Sequence, residues 1–331
     1  MALITNKCRA KFTEPPQSIS ARKSSPYNYN ITAIMKRLLF ISTLLLLALC
    51  ANAQILYKIS GKELKEPSYL LGTYHLASYK FTQRIPGYQE AWSNSKQVCG
   101  ELIMEEMFTP ENIEKVQKAM SLPGDSTLQQ VMTQELFEKY NAAIKSLLGT
   151  DLSNPFVAKQ FEKMSPAMFL AQMLAVNVLS GKLFFSLDQR TIIDNAIQQQ
   201  AKKEGKPIGC FETLEEQIEI LYGGMNIQEE IDELEEILDD LEKAKKETLE
   251  LYEAYISQDL NAIAAYYDSI EMTPEQDNKL VYERNANWLK VMPTVMQKQS
   301  TFFHVGAAHL INEKGLINQL RQMGYTVEAM E

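Results

Sequence analysis

The sequence predicts an α/β fold, in which a mixed sheet formed by N- and C-terminal strands is interrupted by a large helical insertion. Short β-prone segments lie near the start, at 55–59 and 69–71, and near the end, at 301–305 and 325–328. Between them, over about 105–300, apolar residues recur mainly at helical spacing. The chain has 331 residues, 45% of them hydrophobic, so it can bury a sizeable core.

The start of the chain is predicted to lie outside this fold. Residues 1–34 are polar and basic, and we interpret them as a non-native upstream extension. A basic pair and an apolar run too short to span a bilayer follow, then a small-x-small pattern ending at Ala53. Residues 35–53 are therefore predicted to be a signal peptide for export to the periplasm or the extracellular space. An uncleaved anchor or a lipoprotein acylated at Cys50 are the alternatives, and 54–331 is predicted to be a single domain.

The predicted mature chain is strongly acidic. Loss of residues 1–53 removes seven Lys/Arg and one Glu, which changes the formal net charge from −9 to −15. Nucleic acid and anionic lipid are therefore poor partners, and no membrane span is predicted in the mature chain. Cys99 and Cys210 remain on an export route that permits disulfides, and the sequence leaves open whether they form one.

The first elements of this domain are predicted to be a hairpin, a helix and a buried strand. Gly61 and a Glu-Pro turn separate the β-prone segments 55–59 and 69–71. After a short helix, the small and β-branched residues of 97–104 suit a buried strand. Glu101 is therefore expected on or near a strand.

The central region is predicted to be mainly helical. Apolar residues recur at helix spacing from 110 to about 181, with breaks at proline and glycine. Ser186, followed three residues later by glutamine, predicts the cap of a further helix. A short strand over 208–212 follows, and later helices are predicted over 260–270 and 274–292.

The segment 228–250 is unusually acidic, with eleven acidic residues and three lysines. Ile231, Leu234 and three further apolar residues nevertheless hold one face at helix spacing. We interpret the segment as one solvated amphipathic helix, and an acidic docking surface is the alternative.

Two segments share one frame: a bulky β-forming triplet, then glycine, two residues, histidine and leucine. The frame places Gly72 before His75 and Gly306 before His309, and the sequence has three histidines in all. A glycine at a strand end lets the backbone turn sharply, so both imidazoles can reach the carboxyl edge of one sheet. Two structural histidines that share no site are the alternative. His304 lies within the last histidine-bearing strand and is expected to pack or to support the site.

Two glutamates stand at related positions. Glu101 and Glu212 each lie two residues after a cysteine at a predicted strand end. With His75 and His309 they form a set of imidazole and carboxylate ligands that suits zinc, manganese or cobalt. We therefore predict a divalent metal held by His75 and His309, with Glu101 or Glu212 completing the set of ligands or taking a proton from the water.

Arg284 and Asn285 lie on the helix before the last histidine-bearing strand. Arg284 can clamp a substrate carboxylate or orient a site glutamate through paired hydrogen bonds, whereas a surface ion pair is the plain alternative. Asn285 is expected to support the site from the same helix.

Six short motifs occur in the order typical of one protein family. They are Gly-Thr-x-His, Cys-Gly-Glu-Leu, Ser-Leu-Asp, Gly-Lys-Pro-Ile-Gly-Cys-Phe-Glu-Thr-Leu-Glu-Glu-Gln, Glu-Arg-Asn and Val-Gly-Ala-Ala-His-Leu. Together they cover roughly 55–328. The sequence thus resembles the TraB/GumN family, including its Tiki-like members.

The resemblance implies a Tiki-like α/β fold with the paired histidines and a glutamate at a common centre. Animal Tiki-type members are described as metal-dependent proteases that act through two Gly-x-x-His motifs and a glutamate. These match His75, His309 and Glu101 here. By the same resemblance Glu101 is a metal ligand or a general base.

Other family positions match less fully. Glu212, Asp188 and Arg284 correspond to further recurrent residues, and Asp188 is expected to support the centre. The chain has Ile103 and Met104 where many members place an acid soon after the glutamate.

Three functions are consistent with these features. The first is an exported metal-dependent hydrolase that cleaves a peptide or a related amide or ester. The second is a non-catalytic protein that sequesters a peptide or small molecule in the same cleft, and the third is an interaction protein that uses the acidic segment 228–250. No Ser/His/Asp order, Walker loop or dinucleotide fingerprint supports another enzyme class.

Overall fold

A computed structural model of the chain describes residues 54–122, 124, 126–178, 192–222, 226–270 and 272–331. The predicted upstream extension, the predicted signal peptide, the predicted cap Ser186 and the candidate Asp188 lie outside these residues. Within the described ranges no helix is both long and apolar enough to cross a membrane.

The described residues contain one mixed sheet of six strands, which confirms the predicted α/β class. In chain order the strands are β1 (Leu56–Ser60), β2 (Ser68–Thr73), β3 (Gln97–Gly100), β4 (Ile208–Cys210), β5 (Thr301–Gly306) and β6 (Thr326–Ala329). Across the sheet their order is β4-β3-β5-β2-β1-β6. The pairs β4–β3, β3–β5 and β5–β2 are parallel, whereas β1 is antiparallel to both β2 and β6. Four strands therefore end at the same edge.

The predicted hairpin is present, and it brings the two histidine motifs together. Its turn uses three consecutive positive φ angles, beginning at Gly61 with φ +80°. Every residue of β2 is buried, because β2 lies between β1 and β5. In the parallel register Gly72 faces Val305 and Thr73 faces Gly306, so both motifs leave the sheet side by side.

Among the described residues, α-helices make up most of the region between β3 and β5, one α-helix precedes β3 and one follows β5. They are α1 (Tyr88–Asn94), α2 (Pro110–Ala119), α3 (Leu128–Val131), α4 (Gln134–Leu148), α5 (Pro155–Phe161), α6 (Pro166–Val178), α7 (Ile193–Lys203), α8 (Leu214–Tyr222), α9 (Ile227–Asp239), α10 (Leu241–Ile256), α11 (Leu260–Ser269), α12 (Pro274–Asp277), α13 (Glu283–Lys298) and α14 (Leu316–Gln322). A π-helical turn, Asn278–Tyr282, joins α12 to α13. The short strand predicted over 208–212 is present as β4, which leaves the insertion to pair with β3.

The apolar residues form two separate cores. The first packs α1, α7 and α13 against the sheet around Phe302, Phe303 and Trp288. The second joins α4, α5, α6 and α9 around Tyr140 and Phe169. The helices of the insertion thus bury an apolar core of their own beside the sheet that carries the candidate site.

The acidic segment 228–250 forms two helices, so the prediction of one continuous helix is wrong. The first helix ends at Asp240, whose backbone is not helical (φ −133°, ψ 56°). The Asp240 side chain accepts a hydrogen bond from the Lys243 amide and caps the second helix. An aspartate is a strong helix N-cap, and this local bond competes with the continuing helix. The predicted apolar face is present, since Ile231 and Leu234 are buried in the second core.

Candidate active site

The candidate residues gather where the four parallel strands end. His75 follows β2, Glu101 follows β3, Glu212 follows β4 and His309 follows β5. The pairing continues beyond the strands, because the Glu212 amide donates to the Glu101 carbonyl at 3.0 Å. The carboxyl edge of a parallel sheet is the usual place for a ligand site in α/β proteins.

The two Gly-x-x-His turns touch each other at Gly72. A Cβ at Gly72 would lie 3.1 Å from Ala307 Cα and 3.1 Å from Leu310 Cδ2. Gly306 is under less steric demand, because a Cβ there would lie 3.5 Å from Glu101 Oε1. Its backbone amide instead donates to that oxygen at 2.7 Å. Gly72 therefore permits the close approach of the motifs, and Gly306 positions the carboxylate.

We expect Gly72→Val to destabilise the fold by about 1–3 kcal/mol, the usual cost of overpacking a buried position. The new side chain has to push the backbone of Ala307 away, which separates the two motifs. Denaturant unfolding measures the loss. Gly209→Ala is the matched control, because a Cβ there meets nothing closer than 3.9 Å. Equal stability of Gly72→Val and the native protein would contradict the contact.

His309 is held in one tautomer. Its Nδ1 lies 2.8 Å from Asn285 Oδ1, while Asn285 Nδ2 donates to the carbonyls of His309 and Lys314. The amide orientation makes Oδ1 the acceptor, so Nδ1 carries the proton and Nε2 carries the lone pair. Burial, reinforced by the charge of Arg284 and opposed by Glu101, lowers the pKa of His309 to about 3. The ring is therefore neutral at physiological pH.

His75 is fixed in a similar way by an aspartate. Its Nδ1 lies 3.0 Å from Asp194 Oδ2, and its side chain is 67% exposed. Desolvation by the neighbouring residues would lower its pKa, but the hydrogen bond and charge of Asp194, with the charge of Glu101, raise the pKa of His75 to about 9. Asp194 orients the ring and leaves Nε2 directed away from the carboxylate.

Asp194 is a site residue that the sequence reasoning missed. It lies in the first turn of α7 and accepts from Thr73 Oγ1 at 2.8 Å. It also contacts His304 Nδ1 at 3.0 Å. Burial opposes its ionisation, but the hydrogen bonds from His304 and His75 hold the pKa of Asp194 well below its usual range. The available signal was a pair of polar residues, Asp194 and Gln198, four apart beside an apolar helix stripe.

His304 is a buried residue of β5 that contacts this aspartate. Its Nε2 lies 3.4 Å from Gln198 Nε2. The ring fills the space left by Gly100, where a Cβ would lie 2.5 Å from the imidazole. His304 thus joins β5 to α7 through Asp194.

Arg284 lies at the centre of a second network. It is buried, so it is not the surface ion pair considered above. Its Nε and Nη2 donate to Glu212 at 2.8 and 2.9 Å, and Nη2 also donates to Glu101 Oε2 at 2.5 Å. Its Nη1 donates to the Leu280 carbonyl at 3.2 Å and to His309 Nε2 at 3.0 Å. All five N–H groups are therefore engaged, and the side chain orients both glutamates.

The two glutamates have different environments. Burial opposes ionisation of Glu101, but neighbouring His309, Arg284 and His75 lower its pKa to about 2. Glu212 accepts from Arg284 on both oxygens, and Trp288 Nε1 adds a bond to Oε1 at 2.9 Å. Glu101 is therefore an ionised carboxylate that adjoins both histidines, whereas Glu212 is enclosed by donors.

The chemistry of these side chains fits a divalent metal ion. His75 and His309 each have Nδ1 fixed by a partner and Nε2 as the remaining ligand atom, the arrangement in which histidines bind metals. Glu101 supplies an ionised carboxylate. In the present arrangement no three His, Cys, Asp or Glu side chains among the described residues converge enough to hold a metal. Arg284 instead contacts His309 Nε2 and Glu101 Oε2.

Cys99 and Cys210, the two cysteines among the described residues, are free thiols, which answers the question that the sequence left open. Cys99 is paired with Gly209 across β3 and β4, and Cys210 is paired with Gly100. Successive side chains in a strand alternate between faces, so the two thiols lie on opposite faces of the sheet. Burial, with a contribution from Cys210, raises the pKa of Cys99 to about 12.

Comparisons with known proteins agree with the resemblance. The zebrafish (Danio rerio) protein named Metalloprotease TIKI2 is 25% identical over 313 residues, which covers 79% of this chain and 58% of the relative. The human (Homo sapiens) Metalloprotease TIKI1 is 24% identical over 309 residues, covering 79% of this chain and 59% of the relative. The Nematostella vectensis Metalloprotease TIKI homolog is 20% identical over 308 residues, covering 79% and 64%.

The chain therefore spans about three fifths of the length of these relatives. No solved structure matches it significantly. The model of the TraB/PrgY/gumN family matches residues 55–329, which include both histidine motifs and both glutamates. The chain is thus a member of the TraB/PrgY/gumN family.

Proposed function

We propose that the chain is an exported metal-dependent hydrolase that cleaves a peptide or a related amide or ester. His75, His309 and Glu101 are the proposed metal ligands, and manganese, cobalt and zinc are the candidate ions. One observation carries the proposal: both Gly-x-x-His imidazoles have Nδ1 fixed by a polar partner, beside an ionised glutamate at one sheet edge. The metalloprotease names of the relatives support it.

A bound divalent ion would acidify a water molecule and polarise the substrate carbonyl. The protein residues orient the reaction around it. Glu101, held by the Gly306 amide, is the proposed ligand or proton acceptor. Glu212 has donors on both oxygens from Arg284 and Trp288, so it is proposed to position Arg284 rather than to take a proton. Substrate is proposed to enter on the side of the exposed His75 ring.

The proposed location is the periplasm or the extracellular space, after signal cleavage near Ala53. The acidic mature chain suits a peptide or small-molecule substrate and argues against nucleic acid. N-terminal sequencing of the exported protein tests this point. We expect it to begin at Gln54.

The hydrolase is tested by assaying metal-stripped protein, with and without Mn²⁺, Co²⁺ or Zn²⁺, on a mixed peptide library and on model amides and esters. We expect one of these ions to restore turnover to the native protein and not to a His75→Ala variant. If no ion gives turnover while His75→Ala weakens capture of a peptide or small molecule, the sequestering function is favoured instead.

Metal binding is expected to release about one proton at neutral pH. His75, with its pKa near 9, is protonated in the metal-free protein and has to lose that proton to bind a metal. His309, with its pKa near 3, and Glu101, with its pKa near 2, are already deprotonated. Affinity should therefore rise about tenfold per pH unit below pH 9 and level off above it.

Calorimetric titrations in buffers with different heats of ionisation measure this proton directly. His75→Ala is the control, and we expect any remaining binding by this variant to lose the pH slope. Binding by the native protein without proton release would contradict the assignment of His75 as a ligand.

A further inference from the structure

Arg284 contacts two of the atoms that the proposed metal needs. Its Nη1 lies 3.0 Å from His309 Nε2, and its Nη2 lies 2.5 Å from Glu101 Oε2. The Nε2 of a neutral imidazole has a single lone pair, so it can accept from Arg284 or bind a metal, but not both. The guanidinium stays charged at all relevant pH values, so it would also repel an ion placed at these atoms.

The remaining contacts of Arg284 do not involve the proposed metal ligands His75, His309 and Glu101. Nε and Nη2 form a paired interaction with Glu212, whose Oε1 also accepts from Trp288. The Arg284 guanidinium lies over the Trp288 ring, 4.9 Å from its centroid. The side chain can therefore lose its contacts with His309 and Glu101 and still remain held by Glu212.

The helix that carries Arg284 begins at an irregular turn. The π-helical turn Asn278–Tyr282 lies directly before α13, and its Leu280 carbonyl accepts from Arg284 Nη1. π-helical turns are rare and occur frequently at functional sites. Asn278 and Tyr282 of this turn, together with Lys314, line a cavity of about 300 Å³. The backbone at this turn is thus not enclosed by close packing on that side.

We propose that Arg284 is an internal cation that occupies His309 and Glu101 in the metal-free protein and withdraws onto Glu212 when a divalent ion binds. This inference rests on the proposed metal site. Arg284 then keeps Glu101 and Glu212 neutralised before metal arrives and lowers the affinity for metal, because each ion has to displace it. Its role is positional, since it touches the ligands rather than the substrate.

The test is calorimetric titration of the full chain with Mn²⁺, Co²⁺ and Zn²⁺, comparing the native protein with Arg284→Gln and Arg284→Lys. Neither replacement can hold Glu212 in a paired interaction and reach His309 as arginine does. Both are expected to bind metal at least about tenfold more tightly, the equivalent of removing one competing charge-assisted hydrogen bond. Lys314→Gln is the control, because it removes an exposed positive charge beside the same helix without touching a ligand atom.

The outcomes separate this inference from the proposed function. Folded Arg284 variants that bind metal no more tightly than the native protein would overturn the inference while leaving the metal site intact. Binding by the folded variants that is at least about tenfold tighter than binding by the native protein would support it. No binding by any folded form would overturn both.

A measurement on the native protein covers the case in which the variants fail to fold. The ¹⁵N NMR signals of the Arg284 guanidinium are followed during addition of Zn²⁺, which is diamagnetic. We expect the Nη1 signal to change as its bond to His309 is lost, while the Nε signal reports a retained bond to Glu212. Unchanged Nη1 signals at saturating Zn²⁺ would overturn the inference.

Discussion

Replacing Glu101 by glutamine is expected to reduce turnover by about 10²–10⁴-fold, the range found when a catalytic acid or base is removed. The side chain keeps its shape and can still accept from the Gly306 amide. It loses the charge that the site needs, either to bind the metal or to take a proton from water. Steady-state hydrolysis by metal-loaded protein measures the loss.

Glu105→Gln is the matched control for this change. Glu105 lies four residues from Glu101, but its side chain is 72% exposed and pairs with Lys202 at the surface. We expect its variant to keep native activity. Native turnover in Glu101→Gln would show that the carboxylate has no part in the chemistry.

Glu212→Ala is expected to destabilise the protein by about 3–5 kcal/mol, the cost of leaving a buried charge without its partner. The truncation deprives Arg284 Nε and Nη2 of their acceptors, and it leaves Trp288 Nε1 without one as well. Glu101 retains one contact with Arg284 and does not replace the lost pair. Urea unfolding with an unchanged m-value measures the difference.

Glu219→Ala is the control for this stability measurement. Glu219 is exposed on α8, a few residues after Glu212, and its truncation should change stability by less than about 0.5 kcal/mol. Similar stabilities for the two variants would contradict the view that Glu212 anchors a buried guanidinium.

Much of the sheet could be predicted because its strands have local signals. The hairpin β1–β2 combines β-forming residues with a glycine turn, and β5 is a buried apolar run before Gly306. The repeated Gly-x-x-His pattern predicted that two strands end in the same kind of turn, each followed by a histidine. It could not predict that β2 and β5 are neighbours, because that pairing joins residues more than two hundred positions apart.

The supporting residues were harder to predict because their partners are distant in sequence. An aspartate in the first turn of a helix is ordinarily explained by the helix dipole, so the spacing of Asp194 and Gln198 was only a weak signal. Its bonds to Thr73, His75 and His304 exist only after α7 has packed on the sheet. The free thiols follow from strand register, which the Cys-x-Glu spacing does not contain.

The role of Arg284 could be predicted only in part from the sequence. Its placement before the last histidine strand was visible, but its sequence neighbours equally suited a surface ion pair. Burial and the saturation of its five N–H groups decide between the alternatives, and both depend on contacts with Glu101, Glu212 and His309. A polar network of this kind is assembled by tertiary structure, so local sequence patterns indicate its members and not its connections.

The most direct test of the proposed metal site is calorimetric titration of metal-stripped protein with Mn²⁺, Co²⁺ and Zn²⁺, beside a His75→Ala/His309→Ala double variant. Circular dichroism establishes that both proteins are folded. We predict that the native protein binds one ion at a single site and that the double variant does not. Absence of binding by the folded native protein, or equal binding by the double variant, would contradict a metal centre at the paired histidines.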